Sequence, residues 1–181
     1  MSINMKHLIN LIITLSLFAQ VVNAQKIETF DEYKAFFDSI TYRLKIAEKD
    51  SSCFIGKPFS EFAKHLDKCG VKILQVGALN FDMQKVIPQN LYGISAWFIT
   101  NEVWDFILIN KLRQPTVFIY FNEVLPYQHA LSLEKEYEVY FVKEVEEFYS
   151  GATIKSLVFS LPDNLSMFPH RKAIENESII E

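Results

Sequence analysis

Six apolar side chains, Tyr33, Phe36, Phe37, Ile40, Leu44 and Ala47, recur at helical spacing between Thr29 and Asp50. At 3.6 residues per turn they make one continuous stripe, and a chain that carries such a stripe must lay it against another apolar surface. Thr29 and Glu32 stand at capping-box spacing, where hydroxyl and carboxylate each satisfy an orphan amide of the first turn. The spacing predicts a helix over Phe30–Lys49, ended by Asp50-Ser51-Ser52. The simplest cover for its stripe is a sheet of the same domain. With 181 residues and half of them hydrophobic, the chain has room for one such domain and little more.

The pattern after that helix fits this reading. Gly56–Gly70 is predicted as a second helix, with Pro58 at its start, where a missing amide costs nothing, and Gly70 as its left-handed stop. Phe59, Phe62, Ala63, Leu66 and Cys69 share one face. From Val71 the period changes to two. Val71–Leu79, Leu91–Ile99, Glu102–Ile109 and Thr116–Asn122 read as four strands, the second and third joined by a tight hairpin at Thr100-Asn101. Their short connections favour an antiparallel meander over crossover units. Tyr127–Ser150 returns to helical character, with a break expected near Glu138-Val139-Tyr140, and Thr153–Leu161 makes a last strand. The expected fold class is therefore α+β: two N-terminal helices, an antiparallel four-stranded meander, a further helix and a last strand, with the helices on one sheet face.

The N-terminus has a separate purpose. Lys6 and His7 precede an apolar run from Leu8 to Val22, no acid occurs before Glu28, and Val22-Asn23-Ala24 places small or apolar residues at −3 and −1 of a cleavage site. These are the parts of a secretory signal peptide, with cleavage after Ala24. The run is too short and too interrupted by polar residues for a spanning helix. The domains expected are a leader over 1–24, one α+β domain over 25–168 and a polar tail over 169–181, giving a secreted or periplasmic product with no membrane span. Losing Lys6 takes 18 basic residues to 17 against 22 acidic, so the formal charge passes from −4 to −5. A mildly acidic surface argues against nucleic acid as a partner.

Cys53 and Cys69 are the two thiols, and export would permit a disulfide between them. Such a bridge would be worth on the order of 3 kcal/mol if unstrained. A ten-residue helix spans about 15 Å, so the chain before it would have to double back for the sulfurs to meet. The alternative is two separate thiols, with Cys69 as a small core residue. Catalysis by Cys53 would call on His65, His129 or His170; of these, His65 is expected on the polar, solvated side of its helix. Asp50-Ser51-Ser52-Cys53 before a helix is similar to the nucleophile segment of the NlpC-type cell-wall peptidases, but the residue order differs and Pro58 falls where that family has helix. Serine hydrolysis has no G-x-S-x-G, since Gly93-Ile94-Ser95-Ala96-Trp97 ends without its glycine. Neither zinc-type spacings nor a phosphate-cradling glycine loop occur, so no cofactor or metal is expected. Asp105, set among Trp104, Phe106 and Ile107, is expected to face water by strand alternation. Trp97 and Trp104 flank the expected hairpin and form a patch for a sugar or protein if exposed.

The stretch Cys53-Phe54-Ile55-Gly56-Lys57-Pro58-Phe59-Ser60-Glu61-Phe62, with Phe148-Tyr149-Ser150 before Ile154-Lys155-Ser156, resembles a group of uncharacterised exported bacterial α+β proteins. In that group an I-G-K-P-F/L-S turn opens the second helix. The resemblance implies a small exported domain and carries no activity with it. The opening of two helices followed by strands is also similar to the β-lactamase inhibitory protein and to an outer-membrane assembly lipoprotein, at the level of fold. The sequence thus leads to an expectation of an exported, non-catalytic module for a protein or cell-envelope ligand. The alternatives are a cysteine-dependent cell-wall or peptide hydrolase, and an inhibitor or immunity protein.

Overall fold

The computed structural model describes residues 27–79, 90–163 and 165. The expected leader with its cleavage site after Ala24, and the tail over 169–181, lie outside the described residues.

The first helix, α1, spans Phe30–Lys49 as its stripe requires. Its capping box is complete. Glu32 N–H donates to Thr29 Oγ1 at 3.3 Å, and Thr29 N–H donates to Glu32 Oε2 at 2.9 Å. A second amide, from Glu28, reaches the same carboxylate oxygen at 2.9 Å. Together with the Thr29 groups it holds the Glu32 carboxyl below its usual range. A 3-10 turn, Ser51–Phe54, leads to α2, Phe59–Lys68, with Pro58 directly before the first helical residue. Gly70 closes α2 at φ +73°, where Val71 N–H donates to Leu66 C=O and Gly70 N–H to Asp67 C=O, both at 2.9 Å. Arg43 on α1 donates to the Gly70 carbonyl at 2.6 Å, tying the two helices at that turn.

Four strands follow: β1 (Gln75–Leu79), β2 (Asn90–Trp97), β3 (Thr116–Pro126) and β4 (Ile154–Ser160). They form one antiparallel sheet in the order β1-β2-β3-β4, so neighbours in space are consecutive strands in the chain, as in a meander. The last expected strand, Thr153–Leu161, is therefore the fourth of the sheet and not a fifth.

One expected strand is a helix. Glu102–Ile109 lies within α3, Asn101–Asn110, and no hairpin exists at Thr100-Asn101. The run is apolar almost throughout, and such a run fits a buried strand and a buried helix equally until its faces are known. In three dimensions the helical period wins: Val103 and Ile107, one turn apart, are buried, while Glu102, Asp105, Leu108 and Ile109 are exposed. The helix stops at Lys111, which adopts φ 53° where glycine would be the legible signal. Leu112 N–H then donates to Ile107 C=O at 2.9 Å.

The long C-terminal helical region breaks where expected. It divides into α4 (Tyr127–Tyr137) and α5 (Lys143–Ser150), with Glu138 at φ 57° between them. The connecting residues run beside β1: Val76 N–H donates to Val139 C=O at 2.8 Å, and Phe141 N–H to Leu74 C=O at 2.9 Å. This segment covers the β1 edge of the sheet.

Alternation divides the sheet into an inner and an outer face. Val76, Ala96, Val117 and Phe159 form one inner row, and Ala78, Ile94, Ile119 and Leu157 the next. Onto these pack Leu44 and Ala47 of α1, Phe59, Phe62 and Leu66 of α2, Ala130 of α4, and Val145 and Tyr149 of α5. The expectation of helices on one sheet face holds for these four. The first half of the α1 stripe does something else. Tyr33, Phe36 and Phe37 join Val103 and Ile107 of α3, Ile99 and Leu112 in a second apolar cluster. Tyr33 is fully buried there and its hydroxyl donates to the Arg113 carbonyl. Among the described residues no helix is long and apolar enough to cross a membrane.

Candidate functional site

The outer face of the sheet is built from unlike side chains. Pairing puts Gly77, Ser95, Phe118 and Val158 in one row across all four strands, and Leu79, Gly93, Tyr120 and Ser156 in the next. Trp97, opposite Gln75, ends the β2 side of this face. None of these positions carries a formal charge. Among the described residues, Leu79, Phe118 and Val158 belong to neither apolar cluster; the first two are half-buried and Val158 is 48% exposed. The result is a neutral strip of aromatic and aliphatic groups beside glycines and serines.

Trp97 and Trp104 come together by a route other than a hairpin. Trp97 ends β2 and Trp104 lies on the first turns of α3, with ring centroids 5.4 Å apart and planes at 49°. Both are half-buried against the second cluster. The Trp97 ring extends diagonally over Gly77, where an added Cβ would meet its Cη2 at 2.6 Å. Glycine at 77 is thus the seat of the indole. Gly93 is smaller still in purpose: a Cβ there would lie 2.2 Å from the Ile119 carbonyl oxygen, beside the register shift between Leu91 and Gly93.

The thiols form no bridge. Cys53 is exposed on the 3-10 turn and Cys69 is half-buried at the end of α2, both as free cysteines. The returning arm that a disulfide needs is used otherwise: Gly56 and Lys57 hydrogen-bond with Ile154 of β4. Nor is His65 a solvated side chain. Its ring lies 4.7 Å from that of Phe54, and its Nε2 is 3.7 Å from Cys69 Sγ. The histidine considered for Cys53 is therefore set beside the other cysteine. Burial, with a contribution from the Asp50 charge, pushes the Cys69 thiol up, which keeps it protonated and works against a nucleophile. His129 is exposed and its ring rests 4.6 Å from Phe148. Asp105 is exposed, as alternation also required, although a helix and not a strand presents it.

Sequence reasoning missed a polar line that runs from one buried side chain to the surface. Gln75, 1% exposed, donates from Nε2 to Asn101 Oδ1 at 2.7 Å, and Asn101 Nδ2 donates to Glu138 Oε2 at 3.3 Å. It links β1, the start of α3 and the α4–α5 break. Its one signal was a glutamine inside an apolar strand run. A cleft of about 310 Å³ lies between α2 and α5, with Asp67, Lys72, Lys143 and Glu146 among its lining residues. Charges of both signs rim it, and among the described residues none of its lining side chains has an unpaired buried polar atom.

The chain matches no family model, no curated protein and no solved structure. The functional reading therefore rests on its own residues.

Proposed function

We propose that this chain is an exported, non-catalytic module that binds a protein or cell-envelope component through the outer face of its sheet. The observation that carries the reading is the uncharged strip of half-buried Phe118 and exposed Val158, which, among the described residues, belong to neither apolar cluster. Contiguous apolar surface of this kind marks interaction sites on proteins whose own core is already filled. Aromatic groups dominate the energetics of such contacts. A neutral face selects a neutral surface, because a charged partner would be desolvated there without compensation. Export is supported by the tripartite leader before Gln25.

The test uses the full chain with its own leader and a C-terminal tag. The exported product should begin at Gln25, and it should retain a ligand from the envelope fraction that Phe118→Ser releases. Retention unaffected by Phe118→Ser would end the reading. So would turnover of a peptidoglycan or peptide substrate that Cys53→Ala abolishes.

A further inference from the structure

The two edges of the sheet are treated differently. Val139–Phe141 covers β1, whereas Gly56 and Lys57 pair only with Ile154 at the beginning of β4. Beyond that, among the described residues, β4 has no backbone partner on its outer side. Edge strands are ordinarily protected by charges, proline or bulges that prevent pairing with another chain. β4 carries its one charge, Lys155, and its register shift at its first residues; Ser156–Ser160 beyond them contains no charge and no proline and keeps an unbroken register with β3.

The residues there read Ser-Leu-Val-Phe-Ser, nearly the same in both directions about Val158. An antiparallel strand related by a two-fold axis through Val158 would put Ser156 opposite Ser160, Leu157 opposite Phe159, and Val158 opposite its own copy. Aliphatic would meet aromatic on the inner face, and hydroxyl would meet hydroxyl on the outer. Such self-complementarity is what an isologous dimer interface requires. Leu157 and Phe159 are only half-buried at this edge although they pack against the main core, so a neighbouring strand would complete their cover. We infer that the exposed edge of β4 is the contact for a second copy of this chain, joining two sheets into one of eight strands. This inference stands apart from the binding reading and does not depend on it.

The experiment is sedimentation velocity on the purified protein over about 1 μM to about 1 mM. A monomer–dimer equilibrium is expected. Val158→Lys sets like charges directly opposite one another across the axis and should weaken the dimer about tenfold or more. Val158 is half-exposed, so circular dichroism should show the variant folded. Val158→Ile should keep the dimer. Val124→Lys, at a residue 54% exposed in β3, should leave it unchanged. A protein that is monomeric throughout, or a dimer that survives Val158→Lys, overturns the inference.

Discussion

Gly93→Ala and Gly77→Ala add the same methyl group to the same sheet face, and the structure assigns them opposite consequences. At position 93 the new carbon would sit 2.2 Å from the Ile119 carbonyl oxygen and 3.0 Å from Tyr120 Cα. Both atoms are backbone of β3, which is paired on its other side with β4. Relief therefore means separating β2 from β3 at the register shift. At position 77 the obstacle is the far end of the Trp97 ring, on a half-exposed side chain that can swing aside.

Overpacking of a filled site costs roughly 1–3 kcal/mol, and an immovable backbone obstacle puts Gly93→Ala at the top of that range, about 3 kcal/mol. Replacing glycine by alanine where the backbone permits returns about 0.4–1 kcal/mol through the unfolded chain, so Gly77→Ala should stay within about 1 kcal/mol of the parent. Urea unfolding, followed by far-ultraviolet circular dichroism and by tryptophan emission, separates the two. Gly93→Ala should move the midpoint strongly. Gly77→Ala should hardly move it, but should alter native emission as the Trp97 indole leaves its seat. Equal losses at the two positions, or a Gly93→Ala protein within about 1 kcal/mol of the parent, would refute the steric argument.

Thr29→Ala removes the cap of α1 and should cost about 1 kcal/mol in the same denaturation assay. Glu32 has its folded pKa lowered by the Glu28 amide and the Thr29 groups, so its contribution is present above the ordinary carboxylate pKa and lost as pH falls through the folded value; Glu32→Gln should flatten that acid limb in melts run at decreasing pH. Burial pushes the Tyr33 phenol up, so its contribution is intact below the ordinary tyrosine pKa and lost as pH rises beyond it; Tyr33→Phe should reduce the alkaline loss of stability. With a thiol reagent the native protein should react rapidly at Cys53 and slowly at Cys69, and the denatured, unreduced protein should release two thiols. Asn101→Ala leaves the buried Gln75 amide unpaired and should cost about 1–3 kcal/mol, measured by urea unfolding.

What the sequence made legible was whatever local chemistry decides alone. The Thr29–Glu32 box, the stripe of α1, the Gly70 stop and the break near Glu138 are each written within a few residues. So is the strand character of Thr116–Asn122, where β-branched and aromatic residues alternate faces. The failure at Glu102–Ile109 has the converse cause. Trp104, Phe106, Leu108 and Ile109 supply apolar residues at every spacing, and only the placement of Val103 and Ile107 against Tyr33 and Phe37 selects the helix. The end of that helix is hidden too, because Lys111 occupies the left-handed conformation that glycine would have announced. Trp97 and Trp104 do meet, but through α3 and not through the expected hairpin. His65 was misjudged because a ring on the polar side of α2 finds Phe54 in a turn that no periodicity describes.

Those placements narrow the binding face. Glycine in a strand marks a close approach, and here both approaches are internal: the β3 backbone at Gly93 and the Trp97 ring at Gly77. Trp97 in turn packs on the second cluster, so it is partly spent on holding α3 to the sheet. Among the described residues, Phe118 and Val158 of the strip belong to neither cluster. The two aromatic substitutions should therefore separate stability from binding. Trp97→Ala opens a gap beside the second cluster and should cost about 2 kcal/mol or more, whatever it does to the ligand. Phe118→Ser, at a half-buried side chain outside both clusters, should cost less than Trp97→Ala and still release the ligand. If Phe118→Ser unfolds the protein as readily as Trp97→Ala, then Phe118 is core and the face has no surplus to offer a partner.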